Sequence, residues 1–249
     1  LADGAIGVRV PSCACVACGQ LNFKFGNLNS VTCFNCRARF CYHCKRAIAK
    51  GERDGLSFEV VPASGIAALL PDLKRLSDAW LAEHATREKG FSLGAFEPEY
   101  LACTPIAIVR KHGLPVAFAN LMTTEQKIEA TIDLMRYTPD APKGVMDYLF
   151  VKLMLHCQAE GFAQFGLGMA PMSGMSTHHN APHWQRLGRL IYRHGENFYN
   201  FRGLRAFKQK FDPVWEPRYL CAEGGIQPLI VFTDIAALVS GGIKGVLAK

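Results

Sequence analysis

The chain has 249 residues, 49% of them hydrophobic and 20% charged, enough to bury a core and too apolar for a disordered tail. Its 28 Lys and Arg against 21 Asp and Glu give a net charge of +7, a mild excess that suits an anionic partner but falls short of an obligate nucleic-acid binder. The most apolar stretch, 228–248, carries Asp234, Lys244 and several glycines, so no spanning helix is expected. Residues 1–11 lack the apolar centre of a signal peptide, which makes the cytoplasm the expected compartment.

Seven of the ten cysteines crowd into residues 13–44. In a reducing compartment, C-x2-C pairs read first as metal ligands, because a tight turn aims both sulfurs at one ion. Three such pairs make six candidate ligands: Cys15/Cys18, Cys33/Cys36 and Cys41/Cys44. The first two pairs complete a tetrahedral structural zinc site. The third has only His43 and Cys13 nearby. The string VTCFNCRARFCYHC from Val31 resembles the middle of an in-between-RING zinc module, although Lys45, Arg46, Ala47 and Ile48 stand where that module places its last ligands. A protein partner for this segment is a further expectation.

The polar segment AKGERDG, 49–55, reads as a linker, dividing a Cys-rich segment, 1–54, from a larger domain, 55–249. The first part holds eight basic and three acidic residues, the second 20 and 18.

Beyond the boundary, strands and helices alternate in an α/β (α+β) pattern with a central sheet. A strand is expected at 56–61. A helix follows over 65–85, with Leu69, Leu70, Leu73, Leu76, Ala79 and Trp80 in one stripe. Strands 103–110 and 115–122 are joined by a hairpin at 111–114. The strand 128–137 alternates, with Ile128, Ala130, Ile132 and Leu134 on one face and Glu129, Thr131, Asp133 and Met135 on the other. A turn, a helix over 145–160 and a short strand at 165–167 come next. Helices at 186–193 and 204–211, a strand at 215–221 and a terminal helix at 228–239, expected to pack on the sheet, complete the pattern. Cys103, Cys157 and Cys221 fall in apolar runs and read as core. His178, His179 and His183 read as loop surface.

Antiparallel strands, a turn into a helix, then a parallel strand are the order of a GNAT-like acyltransferase. In that fold the turn offers glycine-rich amides to a coenzyme A pyrophosphate. Here it reads RYTPDAPKG, with two prolines and one glycine, so no CoA is expected.

Four strings make a more specific resemblance: ATREKGFSLG (85–94), IDLMRYTPDAPKGVMDYLF (132–150), FGLGMAPMSG (165–174) and YNFRGLRAFKQKFDPVWEPRYL (199–220). Residues 55–249 resemble the C-terminal domain of the aminoacyl-phosphatidylglycerol synthases, also called phosphatidylglycerol lysyltransferases or multiple peptide resistance factors. The resemblance implies transfer of an aminoacyl group from aminoacyl-tRNA to the glycerol headgroup of phosphatidylglycerol, peripherally at the cytoplasmic face of the cell membrane. In that family a membrane region and a first acyltransferase-like domain accompany this one.

Such chemistry needs a grip on the donor ammonium, a proton acceptor and a stabilised oxyanion. By similarity to the family motifs, Tyr100, Asp133, Arg136 and Lys208 are expected to line the site. Asp133 would take the amino group and Arg136 a phosphate or carbonyl. Arg205, Lys208 and Lys210 would form a cationic group for tRNA or lipid phosphate, with Arg218 as a further candidate. Two other readings stay open: a zinc-binding adaptor without catalysis, and a CoA-dependent N-acetyltransferase.

Overall fold

The computed structural model describes residues 12–15, 17–18, 20–23, 29–37, 39–84, 94–171, 201–219 and 227–239. The expected helix at 186–193, His178, His179, His183 and Cys221 lie outside them. The Cys-rich segment makes two small antiparallel hairpins, β1 (Ser12–Ala14) with β2 (Leu21–Phe23) and β3 (Ser30–Thr32) with β4 (Arg39–Cys41). Each hairpin turn carries one C-x2-C pair.

The segment expected as a linker is instead the end of helix α1 (Tyr42–Arg53). Lys50 and Arg53 lie in its last turn, where cations suit the helix dipole, and Gly55, at φ 74°, turns the chain out. The polarity that suggested a linker belongs to the solvent face. Tyr42, Ala47 and Gly51 are buried. A Cβ on Gly51 would lie 2.1 Å from the Tyr148 ring of the helix beneath, so glycine permits the two axes to approach closely.

Five strands form one sheet in the order β5 (Leu56–Val61), β6 (Ile106–Lys111), β7 (Leu114–Thr123), β8 (Glu129–Tyr137) and β9 (Gln164–Gly166). The first four pair antiparallel, and β9 joins β8 in parallel. The β6–β7 hairpin turns through His112 and Gly113, both at positive φ, the conformation a two-residue hairpin requires. Helix α4 (Val145–Ala159) supplies the crossover from β8 to β9. It buries Tyr148, Leu149, Leu153 and Cys157 against Ala107, Val109, Ala117 and Ala119 of the sheet.

The opposite face is covered by α2 (Leu70–Glu83) and the single turn α3 (Pro98–Leu101). Leu73, Leu76 and Leu101 pack on Ile106, Ile108 and Phe118. A 3-10 turn at Ala63–Gly65 precedes α2, whose first turn holds Pro71, so the helix starts later than periodicity alone suggested. Helix α5 (Phe201–Gln209) and the following Phe211 bring Phe207 and Phe211 onto Phe150 of α4. Helix α6 (Gln227–Val239) leaves Ile230, Ile235 and Leu238 exposed.

Two expectations are corrected. Residues 215–219 form no strand, because Pro217 in their middle removes a donor that a ladder needs. Cys103 is exposed beside α3, its thiol donating to Glu99 O, whereas Cys157 is core as expected. No helix among the described residues is long and apolar enough to cross a membrane.

The packing of α1 on α4 gives a direct test. Gly51→Ala would improve a free helix, yet here the methyl collides with Tyr148. Urea unfolding should show a loss of about 2 kcal/mol, within the usual overpacking range. A gain would mean that α1 does not rest on α4.

Candidate functional site

The site begins with a slip in strand pairing. Ala119 pairs with Met135 and Leu121 with Ile132, so Asp133 and Leu134 together oppose Asn120 in a β-bulge. Asn120 is fully buried. Its Oδ1 accepts the N–H groups of Asp133 (3.2 Å) and Leu134 (2.8 Å), and its Nδ2 donates to Tyr100 Oη (3.0 Å). The amide thus satisfies the two backbone donors that the bulge removes from the ladder.

The bulge corrects the expected alternation. Ala130 and Ile132 face α4, but Met135 and Tyr137 then join them, while Leu134 crosses to the α2 side. Asp133 turns toward α3. Tyr100 Oη donates to its Oδ2 (2.7 Å) and the Gly94 N–H to its Oδ1 (3.0 Å). A Cβ on Gly94 would lie 2.6 Å from Oδ2, so only glycine lets the backbone come this near. Burial, then the Asp133 contact, raises the Tyr100 phenol above its ordinary range. Tyr100 therefore stays a donor, and the Asp133 carboxylate that accepts from it is exposed.

Arg136 lies three residues along, with its guanidinium 4.3 Å from the Trp80 ring of α2 and Nη1 donating to Met135 O. His84 also stacks on Trp80, at 4.2 Å. Pairing of β8 with β9 ends at Thr131 and Gly166, where Thr131 Oγ1 donates to Gly166 O. Beyond that point the β8 edge carrying Asp133 and Arg136 is released from β9, the kind of opening where α/β sheets take ligands.

Lys208, on α5, reaches the segment just past β9 and donates to Met169 O (2.7 Å). It is only 7% exposed, and burial lowers its ammonium to about 8. A fair fraction is neutral in mildly basic solution, which suits a proton acceptor better than an ordinary surface lysine.

The expected cationic group does not assemble as one patch. Lys210 pairs with Asp147 of α4 (3.0 Å), Arg205 stacks 4.3 Å over Trp215, and Arg218 pairs with Glu216 in an exposed stretch. The structure therefore brings Tyr100 and Asp133 into contact, puts Arg136 on the same strand and holds Lys208 one strand away. Sequence reasoning did not pick out Asn120, Gly94 or Trp80. Asn120 had a visible signal, the lone amide in the apolar run PVAFANLM.

In the Cys-rich segment Cys15, Cys18, Cys33 and Cys36 place all four Sγ atoms within 4.8 Å of one another. Cys15 lies 3.5 Å from Cys36, and Cys18 lies 3.6 Å from Cys33. Four sulfurs at ~2.3 Å from one ion would stand ~3.8 Å apart, so this group could hold a metal. Cys41 and Cys44 lie outside that cluster: Cys41 caps α1, its Sγ accepting the Cys44 N–H.

Residues 40–222 match the family described as phosphatidylglycerol lysyltransferase, C-terminal. The chain is 42% identical over 170 residues to a phosphatidylglycerol lysyltransferase of Bacillus subtilis (strain 168), covering 68% of this chain and 20% of that protein. It is 30% identical over 205 residues to the one from Staphylococcus aureus (strain COL), covering 81% and 24%. It thus spans a fifth to a quarter of these curated relatives. Among solved structures, the C-terminal domain of a putative lysylphosphatidylglycerol synthetase from Agrobacterium fabrum superposes with a TM-score of 0.70 at 51% identity, covering 81% of this chain and 60% of that one. L-PGS from Bacillus licheniformis gives 0.58 at 39%, covering 69% and 52%. This mixed sheet with its bulged fourth strand is the GNAT-like fold of that domain, and the chain belongs to the phosphatidylglycerol lysyltransferase C-terminal family.

Proposed function

We propose that this chain transfers an aminoacyl group from aminoacyl-tRNA to a hydroxyl of the phosphatidylglycerol headgroup, working at the cytoplasmic face of the cell membrane. The observation that carries this reading is the Asp133 carboxylate, fixed by Tyr100 and Gly94 at the bulge and open on its outer side. A carboxylate with two oriented donors behind it is held ready for an ammonium, the group every aminoacyl ester presents. Arg136, kept in place by Trp80, offers a permanent cation to the ester carbonyl or a nearby phosphate.

The acceptor hydroxyl oxygen adds to the ester carbonyl carbon, and the carbon–oxygen bond to the tRNA ribose breaks. One proton passes from the acceptor hydroxyl to the departing ribose oxygen. Lys208, neutral in part because it is buried, takes that proton and returns it. The tRNA donor is a polyanion and the acceptor lipid an anion, in keeping with the basic excess of the chain.

We assign zinc to the cluster of Cys15, Cys18, Cys33 and Cys36. Four thiolates fill a tetrahedral shell and leave no position for substrate, so the ion would tie the two hairpins together and take no part in transfer.

The full chain, phosphatidylglycerol vesicles and lysyl- or alanyl-tRNA should yield an aminoacylated lipid. Asp133→Ala should raise KM for the charged tRNA about tenfold to hundredfold, the worth of a hydrogen bond to a charged group. Lys208→Ala should lower kcat about 10²–10⁴-fold. No lipid product from any charged tRNA would refute the assignment and favour the adaptor.

The role of Lys208 has its own signature. A base must be unprotonated, so kcat should climb as pH rises through about 8 and level off above it. Lys208→Arg, fixed in the charged form, should be as inactive as Lys208→Ala. Retention of activity by the arginine variant would show that the position supplies only charge.

Metal analysis of the purified chain should give close to one zinc per chain. Cys33→Ser should lose it and make residues 12–41 accessible to limited proteolysis. A metal-free wild-type protein resistant there would remove zinc from the account.

A further inference from the structure

Cys41 and Cys44 remain after the four-cysteine cluster and the transfer site are assigned. Helix α1 has twelve residues, with Cys41 at its N-cap in extended conformation (φ −86°, ψ 118°) and Cys44 one turn in. The Cys44 N–H points at Cys41 Sγ (3.4 Å), and the two side chains hydrogen-bond each other. Both thiols are partly exposed. His43, between them, turns its ring toward Asp147 (3.7 Å) and Phe211, away from the role of third metal ligand. Among the described residues, the only group of three or more potential ligands close enough for one ion is the other cysteine cluster.

We propose that Cys41 and Cys44 are a redox-active dithiol that exchanges with small-molecule disulfides. A two-residue spacing at a helix N-terminus puts both sulfurs within reach of a single bond, and the Cys44 N–H aimed at Cys41 Sγ favours a thiolate at the cap. The Cys44 side chain, by donating to Cys41, lowers the Cys41 thiol to about 6 and makes it the attacking group. Burial and, more weakly, Asp212 three residues past α5 oppose this ionisation. Burial, chiefly, lowers the His43 imidazole below its ordinary value, against the pull of Asp147.

In the forward direction the Cys41 thiolate attacks one sulfur of the disulfide. The S–S bond breaks, one thiolate leaves and takes a proton from water, and a mixed disulfide forms on Cys41. Cys44 then loses its proton to water, attacks Cys41 Sγ and expels the second thiolate. Two electrons and one proton pass from the thiolate–thiol pair to the small molecule, which leaves as one thiol and one thiolate, and a Cys41–Cys44 bond remains.

The zinc-loaded full chain, equilibrated in buffers of stepped reduced and oxidised glutathione and then alkylated, reports this by mass spectrometry of the peptide holding both residues. The expected result is an intramolecular disulfide appearing across the series while zinc content stays constant. Cys44→Ser should stop at a glutathione adduct on Cys41, and Cys41→Ser should leave Cys44 unmodified. Both thiols staying reduced in fully oxidised buffer would overturn the proposal. So would a second zinc per chain whose removal by chelator is needed before either thiol can be alkylated. The readout requires no transferase activity, so it stands apart from the proposed function.

Discussion

Asn120 supplies the interaction on which the site geometry rests. In a sheet interior each backbone N–H must find an acceptor, and inserting one extra residue into β8 takes two of them out of the ladder. The Asn120 Oδ1 receives both. An apolar side chain there would orphan those donors, and regular pairing would be the cheaper state. Restored alternation would return Leu134 to the α4 face and move Met135 away from it. The position of Asp133 is thus a consequence of a buried amide on the neighbouring strand.

The same amide reaches Tyr100, which ties the bulge to α3. Since the phenol has one proton and gives it to Asp133, it must accept from Asn120, which fixes the orientation of that amide as well. The network has one consistent set of donors and acceptors: Asn120 to Tyr100, Tyr100 to Asp133, Gly94 to Asp133. Satisfied networks of this kind are rigid, because any rotation leaves a buried polar group unpaired. The carboxylate is therefore oriented before any ligand arrives, on the strand whose pairing with β9 has ended two residues earlier.

Most of the architecture was legible because it follows from periodicity. The β6–β7 hairpin, the α4 crossover and the stripe of α2 were all read from spacing of apolar residues. What escaped was decided by contacts between distant segments. Residues 49–53 look like a linker by composition, yet Gly51 is buried beneath Tyr148, ninety-seven positions on in the chain. The alternation in β8 broke because Asn120 on another strand accepts from it. Of the strand expected at 215–221, residues 215–219 failed on a local rule, the proline at 217, that was open to view. At the site, the family resemblance led to Asp133 and Lys208 as candidates, but not to the glycine, amide and indole that hold Asp133 and Arg136 in place.

Environment also separates cations that composition treats alike. Arg136 keeps its charge at any working pH and is stacked on Trp80, so it can only stabilise negative charge. Lys210 is committed to Asp147, and Arg218 to Glu216, in pairs exposed enough to contribute little. Lys208 alone among these is buried, and its ammonium is correspondingly weakened. Lys208 and Lys210 stand two residues apart, one against Met169 O at the end of β9 and the other against α4. The aromatic packing of Phe207 and Phe211 on Phe150 sets how far α5 can shift, and so how deeply Lys208 is buried. The weakening of the Lys208 ammonium by burial is therefore tied to helix packing, through the phenylalanines that seat α5 on α4.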